Sequence, residues 1–191
     1  MQTSNPMQLS SVFDGWGGYH TSLVRAIQPL STDQLAWKPS EALRSIGEIS
    51  RHIAMGRINW FLRMKAPGSE VLAAKIAVWD SDPHGNKYIR EAHIAIDRDA
   101  GALTQWLNDT WNMVDQTLQA WTVEDLAVSY RHVWRREIYK VSRQWIVWRI
   151  MAHDIHHGGQ IARILAERGI EAFELRGLGG HIVSPIKLEE L

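Results

Sequence analysis

The sequence contains no cysteine, which excludes disulfides, thiolate metal ligands and a cysteine nucleophile. That absence fits a reducing compartment, and a cytoplasmic location is the expectation. Net charge is also missing, because 21 Lys and Arg balance 21 Asp and Glu. A balanced chain lacks the field that drives bulk binding to nucleic acid or to an anionic membrane surface, so neither partner is expected. No apolar run is long enough to span a bilayer. The start, MQTSNPMQLS, has no basic stretch followed by an apolar one, and a signal peptide is not expected. There is no internal repeat, low-complexity tract or linker-like composition. The 191 residues therefore read as one domain over 1–191, with its core at about 8–170 and a tail at 171–191. Phenylalanine (3) and tyrosine (4) are scarce while tryptophan numbers 10, so indoles must do most of the aromatic packing, with one or two at a pocket mouth.

Four amphipathic patterns are present. In residues 8–28, Val12, Trp16, Tyr19, Leu23 and Ile27 recur at spacings of three and four, one helical stripe ended by Pro29. Gly15, Gly17 and Gly18 lower its propensity and leave room for a close neighbour. A turn follows at Ser31–Leu35. The second helix begins at Ser45, where Ser45 and Glu48 form a capping box before the stripe Ile49, Ile53, Gly56, Trp60, and Pro67 and Gly68 stop it. SEVLAAKIAVW reads as a short helix and DSDPHGN as a loop. The third helix spans about Asp99 to Trp121, capped by Asp99 and striped by Leu103, Leu107, Trp111, Val114 and Leu118. Residues 127–140 alternate more than they cycle, which predicts a small β-hairpin or an extended excursion. Arg131, Arg135, Arg136, Lys140 and Arg143 make this stretch basic, as a solvated surface or as an anion-recognition patch. The last helix, capped by Ser142, runs through Trp145 to a left-handed stop at Gly169. The expected fold class is all-α: a four-helix bundle with long connections.

The chemistry concentrates in the last helix, in HDIHHGGQI. His153 and His157 are four apart and share a face, with Cβ atoms roughly 5–6 Å from each other. Two imidazoles so placed can converge on one metal ion. His156 points about 100° away from His157. Two helical ligands need a third, and His52, beside the buried stripe of the second helix, is the best candidate. Glu48, four residues before it, is a candidate hydrogen-bond partner for His52. The alternative is structural: helical histidines also serve as neutral core groups bonded to a carbonyl or carboxylate. A protease of the His-Glu-x-x-His type is a poorer reading, because the shorter Asp154 follows His153 and faces about 100° from the pair, as much a surface residue or one behind the ligands as a base. His132 and His181 remain further ligand candidates.

Three stretches together resemble the DinB-like superfamily, which includes YfiT-like metal-dependent hydrolases and bacterial thiol S-transferases. They are WKPSEALRSIGEISRHIA, AWTVEDL and, most specifically, HDIHHGGQI, which is similar to the family's H-x-x-x-H-x-G-Q-I signature. The resemblance covers residues 8 to about 170. It implies an up-down-down-up four-helix bundle, often a homodimer. It also implies a divalent transition metal, zinc or nickel, held by His52, His153 and His157. The implied activity is on a small-molecule substrate, with water or a low-molecular-weight thiol as the activated nucleophile. The alternative is a non-enzymatic metal-binding stress-response protein.

Overall fold

Residues 8–171 are described by a computed structural model of the chain. The N-terminal pattern folds as two helices, not one: α1 (Leu9–Val12) and α2 (Asp14–Ile27), broken at Phe13. Because of the break, Val12 is exposed although it fell on the predicted stripe, while Leu9 packs in the core. Leu9 N–H donates to Trp121 O at 3.1 Å, which ties the start of the chain to the end of the third long helix. Trp16, Tyr19, Leu23 and Ile27 form the buried face of α2. Gly17 does permit a close neighbour, since a Cβ there would lie 3.3 Å from Trp111.

The predicted turn after Pro29 is a one-turn helix, α3 (Thr32–Leu35), with a complete capping box between Ser31 and Gln34. The second long helix, α4 (Ile46–Arg63), is likewise capped reciprocally by Ser45 and Glu48. It ends before Pro67, at Met64, where Lys65 takes a positive φ of 51°. Helix α5 (Ser69–Ala74) follows, and the DSDPHGN loop is the tip of a minimal antiparallel pair, β1 (Asp80–Ser81) and β2 (Lys87–Tyr88). A single 3-10 turn, Glu91–His93, leads to α6 (Ala100–Ala120), capped by the Asp99 side chain accepting from Ala102 N–H.

The alternating stretch is a hairpin of β3 (Ser129–Trp134) and β4 (Glu137–Ser142), in register from Ser129 opposite Ser142 to Trp134 opposite Glu137. Its two-residue turn places Arg135 and Arg136 at φ 49° and 71°, the backbone that matches strand twist. Ser142 then caps α7 (Arg143–Glu167), and Gly169 closes it at φ 72°. The tail from 172 onward, including His181, lies outside the described residues.

The described chain is thus mostly helical, with two small sheets. Helix α4 packs against both α6 and α7, and α2 packs against the same two helices. The apolar core has two clusters. One gathers Trp16, Ile58, Phe61, Val114 and Ile146, the other Leu23, Ile53, Leu107, Ile161 and Leu165. The two clusters use successive stretches of the same four helices. Between those stretches the sequence brings polar residues inward: His20 from α2, Arg57 from α4, Thr110 from α6 and Asp154 from α7, all buried.

Candidate metal centre

Arg57 and Asp154 are the centre of that polar layer, and both side chains are fully buried. Arg57 Nε donates to Asp154 Oδ2 at 2.9 Å, and Trp16 Nε1 donates to the same oxygen at 2.9 Å. Arg57 Nη1 donates to Leu107 O at 3.1 Å. His20 stacks on Trp111 and bonds Asn108 through Nε2 at 3.0 Å. Burial and then the Arg57 charge push its pKa down to about 3, so it is neutral. Of the places expected for Asp154 the surface is overturned: it is fully buried and anchors α7 to α4 and α2, while its Oδ1 lies behind His153, 3.8 Å from Nδ1.

On the opposite side of the α4–α7 seam, His52, His153 and His157 come together. One ligand atom from each can be chosen so that all lie within 4.8 Å of one another. Ring centroids are 4.9 Å apart for His52 and His153, 4.7 Å for His52 and His157, and 4.4 Å for His153 and His157. The helical spacing of four aligns the α7 pair, and α4 delivers His52 across the seam. Gly56, one turn on, makes the approach possible: a Cβ there would sit 2.7 Å from His153 Cε1. The His52 and His153 side chains keep 26% and 19% exposure, so the cluster is reachable from solvent. His156 is exposed and belongs to no such group.

The outward ring nitrogens are engaged in a way that orients the rings. His52 Nδ1 donates to Glu91 Oε1 at 2.9 Å, and the same carboxylate accepts from Arg44 Nη2 at 2.8 Å. The bond from His52, followed by that from Arg44, holds the Glu91 carboxyl down to about 2. His157 Nδ1 donates to Gln160 Oε1 at 2.8 Å, and Gln160 Nε2 donates to His156 Nε2 at 3.3 Å. In both histidines the Nδ1 bond leaves Nε2 as the ring nitrogen available to a ligand. Burial pushes the His157 pKa down to about 4, and the neighbouring His153, His52 and His156 rings push it the same way against the Gln160 bond. His153 Nδ1 is buried without a hydrogen-bond partner, 3.8 Å from Asp154 Oδ1, which is also unpartnered. Three imidazoles crowded together, two of them oriented through Nδ1 by side-chain oxygens, suit a transition-metal ion better than a hard oxygen-seeking one.

Glu91 escaped the sequence reading. It lies in a stretch without periodicity, 39 residues from His52, and nothing local marks it. The residue named in its place, Glu48, is engaged elsewhere: Oε2 accepts from Ser45 N–H at 2.7 Å and pairs with Lys38 Nζ at 3.0 Å. His132 is not in the cluster but buried on β3, its ring 5.5 Å from that of Trp60. His84 lies in the β1–β2 loop and His93 in the 3-10 turn that holds Glu91, both outside the cluster.

A family model of the DinB superfamily matches residues 20–161, about three quarters of the chain and all three histidines. The chain belongs to the DinB superfamily. Solved relatives carry the fold at low identity. A DinB-like protein from Bacillus cereus ATCC 10987 superposes with a TM-score of 0.62 at 11% identity, over 90% of this chain and 100% of that one. The DinB-like protein YjoA from Bacillus subtilis gives 0.53 at 15% identity, over 83% and 92%. No curated protein sequence matches. Among the described residues no helix is long and apolar enough to cross a membrane.

Proposed function

We propose that this DinB superfamily member is a divalent-metal-dependent enzyme acting on a small molecule, with His52, His153 and His157 as the metal ligands. The observation that carries the reading is the convergence of three solvent-reachable imidazoles from two helices. Their donor set supports zinc or nickel, and three protein ligands leave coordination free for a substrate, as in catalytic sites. Such an ion, when bound, contributes Lewis acidity that favours hydroxide from water or thiolate from a thiol near neutral pH. The chain's own residues prepare the site. Glu91 and Gln160 accept the outward N–H of His52 and His157 and fix the ring planes. Burial keeps His157 unprotonated. Arg44 holds Glu91 in place and ionised.

The proposed reaction is hydrolysis, or transfer of a low-molecular-weight thiol supplied by the cell. The proposed architecture is an up-down-down-up four-helix bundle of α2, α4, α6 and α7, acting as a homodimer, with no nucleic-acid or membrane partner. The test is a panel of ester and amide substrates, together with small thiols plus electrophiles, assayed with metal-loaded and chelator-stripped protein. Turnover that needs the metal and disappears in His157→Ala supports the reading. Turnover unchanged by stripping contradicts it.

A further inference from the structure

A cavity of about 560 Å³ lies on the same α4–α7 seam as the histidines, between those helices and the β3–β4 hairpin. Its size is that of a small-molecule site. Trp60 and Trp145 form the helical wall, with rings 5.3 Å apart and edge to face. Trp134 and Tyr139 form the hairpin wall, and both are exposed. Arg149 lines the cavity with its guanidinium over both helical indoles, 5.1 Å from the Trp60 ring and 5.3 Å from the Trp145 ring. Lys140 lines it as well. No Asp or Glu is among the described residues that line it. Glu137, nearby on β4, is bonded to the Tyr139 hydroxyl. His132, at 5% exposure, is also in the wall, and its Nδ1 is buried without a hydrogen-bond partner.

The position on the seam links this cavity to the histidines. Trp60 is four residues beyond Gly56, which abuts His153, and Arg149 is four residues before His153. Four residues advance a helix by about 6 Å. A ligand with its ring among the indoles thus lies about one helical turn from the histidine cluster.

We infer that this cavity is a binding site for small aromatic carboxylates, with the ring between the helical wall of Trp60 and Trp145 and the hairpin wall of Trp134 and Tyr139, and the carboxylate on Arg149 and Lys140. The aromatic walls select a flat apolar body. Two cations in a lining without carboxylates select an anion, and a guanidinium pre-oriented over two indoles presents its donors as a planar fork. The inference deepens the proposed function by naming a substrate class, and it rests on that reading only for what happens to the ligand after it binds.

The experiment is calorimetric titration of chelator-stripped and zinc-loaded full-length protein with 2-naphthoate and its uncharged analogue 2-naphthamide. Binding of naphthoate at least tenfold tighter than the amide is expected. Arg149→Gln should abolish that preference, and Trp145→Ala should weaken both ligands. Both residues are exposed, so circular dichroism and melting should match the unaltered protein. His153→Ala should leave naphthoate binding to the stripped protein unchanged. Equal affinity for the two ligands overturns the inference, as does no saturable binding or a preference that survives Arg149→Gln. Naphthoate binding lost in His153→Ala but kept in Arg149→Gln would assign the anion to the histidines instead, and also overturns it. Retained naphthoate binding in a protein that takes up no zinc would sink the metal reading alone.

Discussion

Glu91 and Gly56 are the two residues on which the histidine cluster depends most without belonging to it. Glu91 fixes the tautomer of His52 and is the only carboxylate bonded to the three rings among the described residues. Partners of this kind typically contribute 10–100-fold to metal affinity. Glu91→Gln keeps an oxygen acceptor but removes the charge, so it should weaken zinc binding by roughly tenfold, measured by chelator competition, with little change in fold. Gly56→Ala has opposing effects. Alanine gains about 1 kcal/mol of helix propensity, yet its Cβ would meet His153 Cε1 at 2.7 Å. The ring must move, so metal affinity should fall while the stripped protein melts within a few degrees of the unaltered one. Unchanged affinity in Gly56→Ala would mean that His153 is not held at the seam as described. At this scale the sequence was only half informative. The spacing of four aligned His153 with His157, and the buried stripe of α4 pointed to His52. Glu91 could not be read, because a contact across 39 residues from an aperiodic loop leaves no local trace.

Among the elements, α4 and α7 carry both the cluster and the buried Arg57–Asp154 pair, on different faces of one seam. Removing one partner of a fully buried pair leaves an uncompensated charge, at a cost of about 3–5 kcal/mol. Arg57→Met should therefore destabilise the protein by about that amount in urea unfolding, and Arg57→Met combined with Asp154→Leu should recover most of it. A double variant no better than the single one would show that the pair is not coupled. The helices themselves were legible from apolar spacing and caps: Ser45 with Glu48, Asp99 and Ser142 all cap where the sequence indicated. The break at Phe13 was not, since the stripe continues across it. The hairpin stayed ambiguous because its turn is Arg135–Arg136, not the Asn-Gly or Asp-Gly that announces a left-handed pair. For Asp154 the place behind His153 was legible and the surface alternative was not excluded, because only the packing of α2 and α4 shows that this side of α7 leads into the core.

For the whole molecule, the buried His20 and the half-buried His157 set the pH response. His20 titrates at about 3 and His157 at about 4 in the folded chain, while an unfolded histidine titrates near 6.5. Below pH 6.5 the unfolded chain takes up protons that the folded chain refuses, so stability falls with falling pH from about 6.5 towards 4. Glu91, folded at about 2 against an ordinary 4.5, adds a further loss between those values. The melting temperature of metal-free protein should be flat above pH 7 and decline steadily below 6.5. A flat profile down to pH 5 would contradict neutral burial of these rings. Family membership rests on residues 20–161 as a unit, and the solved relatives, at 11% and 15% identity, show that this fold survives extensive replacement of its side chains.

The most direct measurement is the metal content of protein purified without a histidine tag or chelator, beside His157→Ala and His156→Ala. The three-histidine centre predicts about one divalent transition ion per chain, lost in His157→Ala and kept in His156→Ala. No ion after reconstitution with zinc, nickel or manganese, or an ion retained in His157→Ala, would contradict it.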